Sequence, residues 1–405
     1  MMKINTTMLL STIILSGSCS SPKIGPVMLG RLPDLPNPSS VSEHSSAPLG
    51  VSAPFTGILG MSLIVAGGCN FPDKPVADGG TKRFYDEIWA LDLSGRDSCW
   101  KVVGRLPNAV AYGCSVTTPS GVVCIGGNDS ARSYRECFSL RWNADGTEVV
   151  VFPLQPLPCT VDNSSAAYSD NRVFVAGGNI DGLPSNALLC GEMNSCGEGV
   201  VWNVMPGFPG PARVQPVLAA IGSGDALRLC LAGGFQPGDN STPPQIPSDV
   251  LVWGDGVWAA KTALPTLPDG SPRTLTGGCA TSMCDRYALF FGGVNFECFR
   301  AAVDRPRLMA EAEAAGDSLT IDKLRDEGKK YLRHDIAWYR FNDDLWSYDI
   351  IDDVWKFLGS DESLARAGAG AVMCGDSLFV VCGELKPGIR SPQVSVIMFN
   401  EKDKK

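Results

Sequence analysis

Residues 173–179 read VFVAGGN, an unbroken apolar run closed by two glycines. The chain repeats this phrase as IVAGGCN (64–70), VCIGGND (123–129), LCLAGGF (229–235) and LFFGGVN (289–295). A sixth version, VVCGELKPGIR (380–390), has Gly383 followed by Glu384 where the others show a glycine pair. Short apolar runs bounded by glycine read as buried strands, and a glycine pair marks a tight turn or a close backbone approach. If Gly383 is aligned with the first glycine of each pair, Glu384 replaces the second, which suggests a carboxylate wanted at the end of an inner strand.

The pairs recur 51 to 59 residues apart, with 91 residues before the last. A period near 50 built from short strands is the signature of a β-propeller of the kelch type. Each unit continues in the same style. In the first, YDEIWALD (85–92) and CWKVVGRLP (99–107) read as strands, with Trp100 matched later by Trp202, Trp258 and Trp355. The second unit is more degenerate. The sixth runs out after VSVIMFN (394–400), and VMLGRLPDLP (27–36) looks like its missing strand moved to the front. The expected fold is therefore all-β: a six-bladed, circularly permuted kelch-type β-propeller whose N-terminal strand closes the ring and removes an open edge. The alternative is that 27–36 is a linker. The long interval carries a helical insertion in blade five, about 299–335. Residues 304–315 and 318–333 are rich in helix formers, and Ser318 is the expected N-cap. A solvated decoration is the other reading of this insertion.

With 405 residues, 44% hydrophobic and 19% charged, the composition is globular. A net charge of −9 argues against nucleic acid as a partner. The opening MMKINTTMLLSTIILSGSC reads as an export signal over residues 1–19, too short in its apolar core to span a bilayer. Cys19 resembles a lipoprotein processing site, which makes it the lipidated first residue of an exported, membrane-anchored mature chain, with 20–405 a single domain. Ordinary cleavage to a soluble periplasmic product is the alternative. Among the other cysteines, Cys190 with Cys196 and Cys279 with Cys284 are close enough in sequence to be bridged. His44 and His334 are the sole histidines, so neither a zinc site nor an imidazole-ligated copper centre is expected, and no cofactor is called for.

Several stretches resemble the bacterial sialic acid mutarotases, also called N-acetylneuraminate epimerases. They are GGVN (292–295), IDKL (321–324), FNDDLWSYD (341–349), GELKPGIR (383–390), GGCNF (67–71), AYG (111–113) and FPGPARVQ (208–215). Their rotated order resembles that of the cyclically permuted mutarotase-like proteins. Val110 stands before AYG where the family pattern has an arginine, and FECF (296–299) also differs, which bears on the identity of the sugar.

The resemblance implies an isomerase that interconverts the α and β anomers of a sialic acid. Glu384 is then the proton-transfer group and Arg390 the anchor for the sugar's carboxylate. Lys386-Pro387-Gly388 is a turn signal that brings the two together. Opening the sugar ring needs a proton removed from the anomeric hydroxyl and one supplied to the ring oxygen, work that suits a carboxylate. Arginine binds a carboxylate in a bidentate fork. An exposed Glu–Arg ion pair without function is the alternative. Arg213 and Gln215 are expected at the channel, and Asn70 and Asn295, which follow glycine pairs, as further sugar ligands; the alternatives are a surface arginine at 213 and asparagines that simply tolerate a left-handed turn. The competing function is a non-catalytic kelch propeller that binds a glycan or protein partner. Sialidase Asp-box repeats are absent from the sequence.

Overall fold

The computed structural model describes residues 23–41, 47–96 and 98–402. Cys19 and His44 lie outside them. The described chain is mostly β, with six four-stranded antiparallel sheets and a pair of long helices. Within each sheet the first three or four strands follow one another as hairpins. The first sheet runs Phe55–Leu59, Ser62–Ala66, Glu87–Asp92 and Lys101–Arg105. The second, third, fourth and fifth begin at Cys114, Ser165, Val214 and Cys279. The sixth takes Gly370–Cys374, Ser377–Val381 and Val394–Lys402 from the C-terminal end. Its outermost strand is Lys23–Leu32, paired antiparallel so that Leu32 faces Val394 and Val27 faces Phe399.

Apolar side chains alternate onto both faces of the inner strands, so the core is divided into clusters between neighbouring sheets. Ile64, Ile88, Val122 and Leu140 join the first sheet to the second, and Leu229 and Phe174 join the third to the fourth. Leu63 and Val65 of the first sheet pack with Phe379 and Val381 of the sixth. Tryptophans in or beside the outer strands of four sheets tie each of those sheets to the one before it. Trp202 Nε1 donates to Gln155 O, Trp258 to Pro206 O and Trp355 to Thr262 O. Trp100 donates to Pro33 O, directly after the N-terminal strand.

The glycine pairs are left-handed throughout, with φ 68 and 90 at Gly67 and Gly68 and φ 69 and 87 at Gly292 and Gly293. This geometry corrects the alignment of the sixth copy. Cys382 (φ 55) and Gly383 (φ 105) occupy the two left-handed positions. The backbone agrees: Gly68, Gly127, Gly178 and Gly293 donate to Val110, Val161, Arg213 and Arg366 of the next sheet, and Gly383 donates to Val51. The glycine lost is therefore the first, replaced by Cys382. Glu384 occupies the position that follows the pair, shared with Cys69, Asn128 and Val294.

The same bonds explain Val110. It stands where the fourth and sixth sheets carry Arg213 and Arg366, whose guanidinium groups bind the Gly233 and Cys382 carbonyls. Val110 instead joins the apolar cluster between the first two sheets, so this departure concerns packing rather than the channel wall.

Two helices, α1 (Phe296–Ala315) and α2 (Ser318–Tyr331), sit between the second and third strands of the fifth sheet. The insertion thus starts a few residues earlier than the sequence suggested. Asp317, not Ser318, caps α2, its side chain accepting from Thr320 N; a carboxylate at that position also favours the helix dipole. The proposed thiol bridges do not form. Cys279 opens a five-residue strand and Cys284 lies just past its end, roughly 16 Å along an extended chain and far beyond disulfide reach. Cys190 and Cys196 are reduced thiols, one buried and one exposed.

A Cβ added at Gly127 would lie 2.7 Å from Val110 and 2.8 Å from the Ala111 carbonyl, whereas one at Gly182 meets open space. Both sites are left-handed. Gly182→Ala is expected to cost about 1 kcal/mol, from conformation alone. Gly127→Ala adds a steric clash and is expected to cost about 3 kcal/mol or more. Urea unfolding of the two variants measures the difference.

Candidate functional site

At the start of the first strand of each sheet, or just before it, the chain takes one left-handed residue: Ala53, Tyr112, Asn163, Gln215, Gly277 and Gly368, with φ 52, 61, 52, 53, 68 and 60. Their backbones form a closed circle. Tyr112 N donates to Ala53 O (3.1 Å), Asn163 N to Tyr112 O (2.7 Å) and Gln215 N to Asn163 O (2.7 Å). Gly277 N donates to Gln215 O (3.3 Å), Gly368 N to Gly277 O (2.7 Å) and Ala53 N to Gly368 O (2.7 Å). Four non-glycine residues in this region carry strain, and strained backbone collects where a site needs it.

All six residues line a cavity of about 330 Å³. Its wall is built from small and polar groups of every sheet, among them Ser52, Ser115, Ser164 and Gly278. Phe299 of α1 and Tyr331 of α2 complete the lining, so the helical insertion packs over the axial mouth instead of projecting into solvent. Arg333, just after α2, reaches Asp78 of the first sheet's loop at 2.9 Å. Lys386 donates to the His334 carbonyl, joining the insertion to the sixth sheet.

Glu384 is the sole carboxylate among the described residues of this lining. Strands Glu384–Lys386 and Ile389–Arg390 form a small hairpin in which Glu384 and Arg390 face each other, as the turn signal at 386–388 implied. Oε1 of Glu384 accepts from Arg390 Nη1 at 2.8 Å and from Gly388 N at 3.0 Å. The Glu384 side chain is 25% exposed and that of Arg390 only 3%. Arg390 lies over the Phe71 ring at 5.3 Å. Burial alone would lower the pKa of its guanidinium, but Glu384, with Cys69 and Tyr112, outweighs that and holds it above the usual arginine value. Glu384 is among the residues that line the cavity and Arg390 is not.

The other expected ligands divide. Gln215 is on the cavity wall, its Nε2 donating to Asn163 Oδ1 at 3.1 Å. Arg213, two residues earlier, is fully buried and bound to Asp249 at 2.8 Å and to the Gly233 carbonyl. It is a clamp within the fourth sheet, because a buried guanidinium needs local acceptors. Asn70 donates to Gly50 O and accepts from Tyr85, a buried pairing away from the lining. Asn295 caps α1 through Cys298 N. Both amides serve backbone geometry.

Tyr112, Asn163, Phe299 and Tyr331 were not expected at the site. Tyr112 lay in a quoted motif, but nothing in a run of Ala, Tyr, Asn, Gln, Gly and Gly marks a common position. Asn163 is fixed by Asp162, whose Oδ1 accepts from its Nδ2 at 2.6 Å.

The sequence profile of the N-acetylneuraminate epimerase family matches residues 27–151 and 154–405. A protein named N-acetylneuraminate epimerase from Brucella suis is 34% identical over 129 residues, covering 29% of this chain and 31% of its own length. One of the same name from Haemophilus influenzae is 28% identical over 248 residues, 61% of this chain and 59% of its own. The chain thus spans about a third to three fifths of these curated relatives. The solved structure of YjhT superposes with a TM-score of 0.56 at 14% identity, covering 86% of this chain and 95% of that one, a likeness of fold. The chain belongs to the N-acetylneuraminate epimerase family.

Proposed function

We propose that the protein is an isomerase that interconverts the α and β anomers of N-acetylneuraminate or a related sialic acid in the axial cavity. The six sheets are read as the blades of a circularly permuted kelch-type propeller forming a single unit over residues 20–405. The observation that carries the reading is Glu384, the lone carboxylate among the described residues lining a polar cavity, held by a buried arginine and a backbone N–H. With Oε1 so engaged, Oε2 is left to take the proton of the anomeric hydroxyl. The electron pair of that O–H bond then forms the carbonyl as the bond from the anomeric carbon to the ring oxygen breaks and that oxygen takes up a proton, which it gives back on closure. Rotation about the adjacent carbon–carbon bond and reclosure deliver the other anomer. Neither a metal nor a covalent intermediate enters this sequence. Arg390 is a positioning residue here, holding Glu384 in place through the bond to its Oε1. Gln215, Asn163 and the serines of the wall offer hydrogen bonds to the sugar's hydroxyl and acyl groups.

Following one freshly dissolved anomer by NMR tests the proposal. The parent protein is expected to accelerate equilibration, and Glu384→Gln to slow the catalysed rate by about 100-fold or more. A parent that leaves the spontaneous rate unchanged would point to a binding propeller instead. Arg390→Met separates the two roles considered for the arginine. A positioning residue gives a lower kcat, by about 10-fold, at nearly constant KM. A rise confined to KM would restore Arg390 as the carboxylate anchor.

We also propose that the protein lies outside the cytoplasm, attached through a lipid on Cys19 after removal of the residues that precede it. This proposal rests on the pattern of residues 1–19. Growth with labelled palmitate is expected to mark the parent and not Cys19→Ser; equal labelling of both would refute lipidation.

A further inference from the structure

Among the six residues of the hydrogen-bonded circle, Tyr112 alone has an ionisable side chain. A bulky residue at φ 61 is a conformational outlier, held here by bonds from both neighbouring sheets. Its ring lines the same cavity as Glu384. Lys82 Nζ donates to the phenol oxygen at 2.8 Å, with the ammonium 4.7 Å from the ring centroid. The Cys69 thiol also points at this oxygen, at 3.5 Å. Both contacts are donated to the phenol, and among the described residues no acceptor takes the phenol's own proton. Burial raises the Tyr112 pKa, with Cys69 and Glu384 adding to the rise and Arg390 opposing it, so the hydroxyl is held in its protonated, donating form.

Glu384 cannot serve both oxygens of the reacting carbon. Its Oε1 is occupied by Arg390 and Gly388, so a single carboxylate oxygen is free to move a proton. The ring oxygen, leaving with an electron pair, needs a second donor. We infer that Tyr112, backed by the Lys82 ammonium, is that donor: a second catalytic residue that protonates the ring oxygen as the sugar opens and recovers the proton as it closes. The inference rests on the anomerase reading above. In the opening step the anomeric hydroxyl loses its proton to Glu384, the ring carbon–oxygen bond breaks, and the departing oxygen takes the Tyr112 proton. The products are the open keto sugar, a neutral Glu384 and a phenolate beside Lys82. Closure reverses each transfer on the other face of the carbonyl, so no proton or electron is gained or lost. A fixed ammonium at 2.8 Å stabilises the phenolate that forms, where water would have to reorganise.

The anomer-equilibration measurement, run at saturating and limiting sugar, decides the matter. Tyr112→Phe is expected to lower kcat by about 100-fold with KM within about threefold of the parent. Lys82→Met is expected to lower kcat about 10-fold, and Lys82→Arg, which keeps the charge, to regain most of it. Thermal unfolding of each variant shows whether it folds; if Tyr112→Phe does not, the Lys82 pair carries the test. Variants at both positions that equilibrate the sugar as fast as the parent would overturn the assignment while leaving Glu384 in place. A parent without activity would remove the anomerase reading and this inference together.

Discussion

The circle of six backbone hydrogen bonds from Ala53 round to Gly368 is the constraint on which the rest of the structure depends. Each bond joins one sheet to the next, so the circle closes only if every sheet supplies a residue in the left-handed region. For Gly277 and Gly368 this costs little. For Ala53, Tyr112, Asn163 and Gln215 it costs about 1–2 kcal/mol each. The hydrogen bonds return about 0.5–1.5 kcal/mol apiece. Those terms are of similar size, and the apolar clusters between sheets supply the remaining stabilisation. The strain is thus maintained by packing around the whole ring rather than by any local sequence preference.

That circle also makes the cavity. A left-handed residue turns its side chain away from the strand that follows, which puts Tyr112, Asn163 and Gln215 on the wall. The second left-handed glycine lies just outside, its N–H bonded to the next sheet in five of the six repeats, and the position after it is where Glu384 stands. The Glu384–Arg390 hairpin and the two helices then cover the mouth. Phe299 and Tyr331 belong to an insertion in the fifth sheet, yet they complete a site whose carboxylate comes from the sixth. Closing the ring with the N-terminal strand matters for the same reason. Lys23–Leu32 covers the edge of the sheet that carries Glu384, and the Trp100–Pro33 bond locks it to the first sheet.

The repeated apolar runs and glycine pairs made the sheets legible, because buried strands and left-handed turns each demand particular residue types. The outer tryptophans were legible for the same reason. The Glu384–Arg390 pairing was visible through the Lys-Pro-Gly turn between them. Other readings failed where a local feature had two structural meanings. Asparagine after glycine can bind a sugar or satisfy backbone, and at Asn70 and Asn295 it does the second. Arg213 and Gln215 are two residues apart, but one clamps a carbonyl inside its sheet while the other faces the axis. The aligned pairs also misplaced Glu384 by one position, because Cys382 adopts a conformation that residue type seldom reveals.

The sequence by itself determined that short strands recur with a common turn, that a strand from the front resembles the missing part of the last unit, and that one carboxylate and one arginine flank a tight hairpin. These are local or periodic properties, set by side-chain type and spacing. Tertiary structure alone decided which residues face the axis, that Glu384 lines the cavity while Arg390 does not, and that Tyr112 and Lys82 meet across two sheets. Such placements depend on closing a ring of sheets about a common centre, and no single segment carries the information for where that centre lies.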